Sequence, residues 1–400
     1  MMRWEPTRAG GLARLDAFAA HAGRTYAETR NFDHGPQDRS NVSALSPYIR
    51  RRMITEEEVV AAVLRHHSFA SSEKFIHEVA WRTYWKGWLQ MRPAMLTRFN
   101  ADRLALNERL ETDGALARRH SQAIEGNTGI TCFDSWAQEL RNYGWLHNHA
   151  RMWFASIWIF TLGLPWQLGA DFFYKHLLDA DPASNTLSWR WVAGLHTAGK
   201  HYLARAENID RCTGGRFAPY GELNERAQPL TEDEPPPPVM PIAPAPQFDG
   251  GSCALLLTEE DLHPESWQFK GDVAAIAVLP SATVHFAGSP AAQFSAAALQ
   301  DAADRAGQHF DASVVFVEYE DVATWLADLG VATLVTAEAP IGMIAWQLVD
   351  LSVALQKQGA QLVQLRRPWD GLLWPRATAG FFKLKTALPD VIARLDLECR

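Results

Sequence analysis

The groups most able to do chemistry in this chain are polar side chains set among aromatic ones, all of them before position 192. In NVSALSPY, Ser43, Leu45 and Ser46 stand where the chain enters a helix, so hydroxyls and backbone N–H groups can meet an anion such as a phosphate. Taken bare, S-x-L-S-P is a helix start. Trp189 follows Asn185 by four residues, so on a continuous helix an indole and an amide share one face. Arg151 and Asp179 have the types for an ion pair, which if buried speaks only for structure. The chain has 16 tryptophans, and a Trp stripe is more often packing than a cofactor box. Cys132, Cys212, Cys253 and Cys399 show no spacing of a metal site or disulfide framework; they read as reduced structural thiols, and no metal is expected. No G-x-G-x-x-G or Walker-type loop follows a strand-like run, which disfavours a nucleotide site built on the usual phosphate loop.

These groups need rigid elements to hold them. Before residue 230 apolar positions recur at helical spacing, as around Phe75, Val79 and Trp85, and breaker clusters such as Gly35–Asn41 separate the segments. This part is expected to be all α. The stretch 231–251, TEDEPPPPVMPIAPAPQFDGG, has no hydrophobic period and favours an extended polyproline spacer. Beyond it, short apolar runs at 254–257, 273–279, 314–317, 332–336 and 362–365 alternate with helical stretches such as 295–308 and 343–358, the pattern of a parallel, doubly wound sheet. The expected organisation is a helical domain over 1–230, a Pro-rich linker over 231–251 and an α/β domain over 252–400. At 400 residues and 47% hydrophobic the chain can bury a core in each half. The net charge of −8 is uneven, with 28 Lys and Arg against 24 Asp and Glu in residues 1–230 and 10 against 22 in the rest. Nucleic acid, if bound, should meet the first half, because phosphates need local positive charge. The uncharged run 152–170 contains Ser156, Gly163, Pro165 and Gln167 and reads as a buried helix pair, not a membrane span. With no charged n-region and apolar stretch at the start, a cytoplasmic protein is expected.

Five segments then stand in order: NVSALSPYIRRR (41–52), HEVAWRTYW (77–85), GNTGI (126–130), GWLHNHARM (144–152) and DADPASNTLSWRW (179–191). Together, over about residues 3–220, they resemble the FAD-binding domain of photolyases and cryptochromes. The part from Ala254 onward resembles, by pattern, the antenna-binding α/β domain of the same family, which ordinarily comes first. The resemblance therefore implies a circular permutation, with the linker joining the old end to the old beginning.

The resemblance also implies roles for individual residues. FAD would meet Ser43, Leu45 and Ser46 with its pyrophosphate, Tyr26 would touch the phosphates, Phe75 takes a place usually held by Trp, and Arg82 contacts the cofactor. Arg151 and Asp179 match the pair under the flavin, Asp181 bonds polar groups of the cofactor, and Asn185 faces flavin N5. Trp81 and Trp191 correspond to the aromatic walls of a cavity for a flipped pyrimidine dimer, Glu78 and Asn148 to its hydrogen-bonding groups, Met152 to a thioether contact, and Arg30 to a cation on the DNA side. Asn148 and Met152 replace the two histidines of (6-4) photolyases, so cyclobutane dimers are the expected substrate. Trp189 matches the proximal member of an electron relay and Trp166 the middle one.

Two departures stand out. His149 occupies a place where many dimer photolyases carry Arg, and the stretch 99–133, where a distal relay member belongs, holds no Trp or Tyr. The reading is a light-driven repair enzyme using reduced FAD, acting as a monomer on damaged DNA, with a cryptochrome-type photoreceptor that signals through a partner as the alternative. A second chromophore, folate or deazaflavin, is open for the α/β domain.

Overall fold

The computed structural model describes residues 4–280 and 287–398, so the reading of Cys399 as a reduced thiol lies outside the described residues. Twelve helices precede the linker among those residues. They are α1 Arg8–Ala19, α2 Arg24–Thr29, α3 Ser46–Arg50, α4 Glu56–Leu64, α5 Phe69–Gln90, α6 Ala94–Thr112, α7 Gly114–Glu125, α8 Thr131–Tyr143, α9 Asn148–Ser156, α10 Trp166–His176, α11 Pro182–Ala193 and α12 Ala206–Cys212. Their ends follow local chemistry. Thr55 and Glu58 form a capping box at α4, and Asp113 caps α7, which closes on Gly126 at φ +72. The linker 231–251 carries no helix or strand.

After it come β1 Ser252–Leu257, β2 Asp272–Val278, α13 Pro290–Phe310, β3 Ser313–Phe316, α14 Val322–Leu329, β4 Thr333–Ala337, α15 Met343–Lys357, β5 Gln361–Leu365, α16 Pro368–Leu373, α17 Phe381–Lys385 and α18 Leu388–Arg394. The five strands pair in parallel in the order β3-β2-β1-β4-β5, a doubly wound sheet. The protein is thus α plus α/β, as the alternation of patterns predicts.

Compactness divides the chain differently from the linker. One unit gathers Arg24–Ala44 and Arg92–Pro238; the other gathers Trp4–Gly23, Leu45–Met91 and the described part of Val239–Arg400. The first unit is built on fully buried rings: Phe133, Trp136, Trp153, Phe154, Trp158 and Trp189. The run 152–170 is here the end of α9, a π turn at Ile157–Thr161 and the start of α10.

The second unit is held by charge as well as by its sheet core. Arg50 bonds Glu260 through two contacts of 2.8 and 2.9 Å, Arg51 reaches Ser295 on α13, and Arg52 bonds Asp370 on α16. Arg367 clamps Asp261 at 2.6 and 2.7 Å. Burial opposes ionisation of Asp261, yet Arg367 and Arg52 hold its carboxyl down to about 2. The loop after β1, where ligands of doubly wound sheets commonly sit, is committed to these pairs.

Candidate functional site

In the first unit, Asp181 opens α11 by accepting from Ser184 N at 2.7 Å, and Pro182 presets the first turn. That start aims Asn185 and Trp189 along one face of the helix. The Asn185 Nδ2 donates to the Ala170 carbonyl at 2.7 Å, which fixes the amide and leaves Oδ1 to accept. Asp179, just ahead of the cap, receives Arg151 from α9 through two bonds of 3.1 and 2.9 Å, and Arg151 Nε donates to Leu146 O at 3.0 Å. The Asp179 side chain is 1% exposed and that of Arg151 22%. A charge-assisted fork of this geometry orients as well as binds.

Around this pair lies a balanced ionic cluster that no local sequence pattern announces. The Arg39 guanidinium sits 4.0 Å over Trp145, whose ring Arg151 meets at 5.8 Å, and Arg39 bonds Glu139 at 2.5 Å. Asp33 takes Arg216 at 2.6 Å and the Trp136 indole N–H at 3.2 Å. Burial pushes the Glu139 carboxyl up to about 7, against the pull of Arg39. Burial and the nearby Arg30 charge lower His149 to about 4, so it is neutral near pH 7.

Also in this unit, Tyr26 is buried, while Arg30 and Ser43 are half-buried. Asn148 is exposed at the first position of α9 and half-buried Met152 lies one turn on. Trp191 stacks on Tyr202 at 5.8 Å. Trp189 meets Phe154, Phe173 and Trp158 edge to face, the last at 6.1 Å, whereas Trp166 stacks on Phe99. The structure therefore pairs Trp189 with Trp158, a residue of the Trp-rich segment 153–158 from which, with Tyr174, a hop beyond Trp166 is expected.

In the second unit, Leu45 is buried and is itself the cap residue of the short α3, with Ser46 half-buried beside it. Long α5 carries Phe75, Glu78, Trp81 and Arg82. Phe75 is buried against Phe18 at 5.6 Å, and Glu78, Trp81 and Arg82 are half-buried. Trp81 is stacked on Phe381 of α17 at 4.0 Å and 12°, an arrangement reinforced by Lys385 on Glu73 at 3.2 Å. Nothing local in the sequence marks Phe381 as a neighbour of Trp81, since 300 residues of chain separate them.

The α11 region keeps hydrogen-bonding capacity that a polar ligand can use. The Ser184 Oγ, Trp189 Nε1 and His149 Nδ1 atoms are buried without a protein partner. Residues 75–221 match the family description "FAD binding domain of DNA photolyase". A deoxyribodipyrimidine photo-lyase of Agrobacterium fabrum is 31% identical over 199 residues, 48% of this chain and 39% of that protein. One of Vibrio cholerae is 26% identical over 241 residues, 56% of this chain and 50% of that protein. A cryptochrome DASH of Idiomarina loihiensis is 25% identical over 213 residues, 52% and 45% of the two chains. A crystal structure of a class III photolyase from Agrobacterium tumefaciens aligns with TM-score 0.39 at 26% identity, covering 53% of this chain and 43% of that one. The helical sequence around α5 to α12 is thus a photolyase-type FAD-binding domain. Over this stretch the chain is similar to proteins of the cryptochrome/photolyase family, and it spans about half the length or less of these curated relatives.

Proposed function

We propose that this protein repairs cyclobutane pyrimidine dimers in DNA under blue light. The observation that carries the reading is the forked Arg151–Asp179 pair standing with Asn185 inside a photolyase-type FAD-binding domain. When bound, reduced FAD supplies the light-excited electron that opens the dimer and takes it back. The protein's own residues bind and orient. Tyr26, Ser43, Leu45 and Ser46 hold the phosphates, Phe75 and Arg82 flank the cofactor, and Arg151, Asp179 and Asp181 bond its polar groups. Asn185, with Nδ2 committed to Ala170, offers Oδ1 as an acceptor. Trp81 and Trp191 stack the flipped bases, Glu78 and Asn148 read their edges, Met152 packs against them, and Arg30 and His149 meet the DNA. Trp189 supplies electrons to the cofactor, and Trp166 is the second member that the family resemblance implies.

The reading extends to a cytoplasmic monomer with a helical domain over 1–230 and an antenna-type α/β domain over 252–400 in permuted order. That domain takes a folate or deazaflavin if it takes anything. A photoreceptor that signals through a partner is the second reading. It is favoured by one observation, that neutral His149 brings no charge to the DNA side. Affinity separates the two, because a repair enzyme binds dimer-containing DNA more tightly than intact DNA and a photoreceptor has no need to. The purified protein should be yellow, with about one FAD per chain. A colourless protein that takes up no FAD on reconstitution would overturn both readings.

A further inference from the structure

We infer that Trp158, not Trp166, is the second member of the electron relay behind Trp189. The inference rests on the proposal that the bound flavin is photoactive. Three features of the first unit converge on it.

The first is contact. Trp158 meets Trp189 at a centroid distance of 6.1 Å and an interplanar angle of 85°, while the ring contact of Trp166 is with Phe99 at 5.4 Å. Gly169 makes the approach of the two indoles possible. A Cβ there would stand 2.3 Å from Trp189 Cη2 and 2.9 Å from Trp158 Cε2, so any side chain would drive the rings apart.

The second is placement. Trp158 lies in the π turn Ile157–Thr161, where α9 gives way before the loop to α10. A π turn is rare and is frequently found at functional sites. Here it sets a wholly buried indole against Trp189, with its N–H donating to Pro165 O at 2.9 Å.

The third is charge. A vacancy on an indole is a positive charge, and a neighbouring cation disfavours it. The Arg190 guanidinium lies 5.9 Å from the Trp166 ring, offset in part by its ion pair with Glu232. The rings around Trp158 are Phe133, Phe154, Phe172 and His120; burial and then the Lys175 charge, itself paired with Asp171 at 2.7 Å, lower the His120 pKa. Trp158 is the better place for the positive charge.

In the step itself, Trp189 gives one electron to the light-excited cofactor and Trp158 gives one electron to Trp189, leaving a Trp158 radical cation. The Pro165 carbonyl cannot take its N–H proton, so the radical stays cationic until an added thiol returns the electron and is itself oxidised.

Trp158→Phe, Trp166→Phe and Trp189→Phe variants loaded with FAD should be followed by transient absorption of the tryptophan radical after a blue flash. FAD content and near-ultraviolet circular dichroism of the FAD-free proteins serve as a second readout. Trp158→Phe should shorten the radical's lifetime by an order of magnitude and remove the dichroism of the coupled indoles, while FAD content stays at the wild-type level. Trp166→Phe should leave lifetime and dichroism unchanged. Loss of lifetime in Trp166→Phe with none in Trp158→Phe overturns the inference and leaves the photoactive reading standing. A wild-type protein that binds FAD but forms no light-induced tryptophan radical overturns both. Rescue of the lifetime by Trp158→Tyr, an oxidisable ring, supports a relay role over mere packing.

Discussion

Replacing Arg151 by Ala tests how far the first unit depends on its forked ion pair. The change removes two bonds to Asp179, of 3.1 and 2.9 Å, and the 3.0 Å bond to Leu146 O. It also leaves a carboxylate that is 1% exposed without its cation. Stranding one member of a buried pair costs about 3 to 5 kcal/mol. For a domain of this size each kcal/mol lowers Tm by about 2 to 4 °C, so the drop should be roughly 6 to 20 °C. Asp179→Asn should cost less, because Arg151 is 22% exposed and can turn to water. Calorimetry of the FAD-free proteins measures the stability term, and absorbance of the purified proteins gives the FAD content, which should fall in both variants. A Tm loss under about 3 °C for Arg151→Ala would refute the argument that Asp179 is ionised and held by this partner. Full FAD content in that variant would refute the assignment of the pair to the cofactor.

Further outcomes are expected. Glu78→Ala and Trp81→Ala should weaken binding to dimer-containing DNA by about 1 to 3 kcal/mol and leave intact DNA little changed, read by titration at fixed salt. Fragment 252–400 alone should fold poorly, since Glu260 and Asp370 would lose Arg50 and Arg52, and co-expression with 1–230 should restore it; a stable isolated fragment would count against the ionic account. Glu139, raised to about 7 by burial, should add stability that is full below about pH 4 and fades as pH rises toward 7, by about 3 to 4 kcal/mol. Urea midpoints at several pH values should show that fall in the parent and a flatter profile in Glu139→Gln. Trp189→Phe should keep its packing yet fail to photoreduce, while chemically pre-reduced protein still repairs.

Where the sequence is legible, the signal is local. The apolar runs at 254–257 and 332–336 become β1 and β4 because a buried parallel strand is a short continuous run of such residues, and the proline stretch can form no element. Asn185 and Trp189 share a helix because a capping Asp and a Pro start it. The illegible part depends on chain segments far apart. The triplet Arg50–Arg52 and the acids Glu259–Asp261 look like solvated charge until the fold buries them against each other, which is also why compactness ignores the linker. Trp158 is one tryptophan among many, and only the π turn and Gly169 distinguish it. Phe381 has no local mark at all; its place over Trp81 is a tertiary fact.

The central claim is tested most directly by illuminating the FAD-loaded, pre-reduced protein with an oligonucleotide that carries one thymine cyclobutane dimer and measuring restored thymines by chromatography. The account predicts light-dependent restoration with many turnovers per chain, none in the dark, and strong loss in Trp81→Ala. Reduced, FAD-replete protein that leaves every dimer intact under blue light would contradict it.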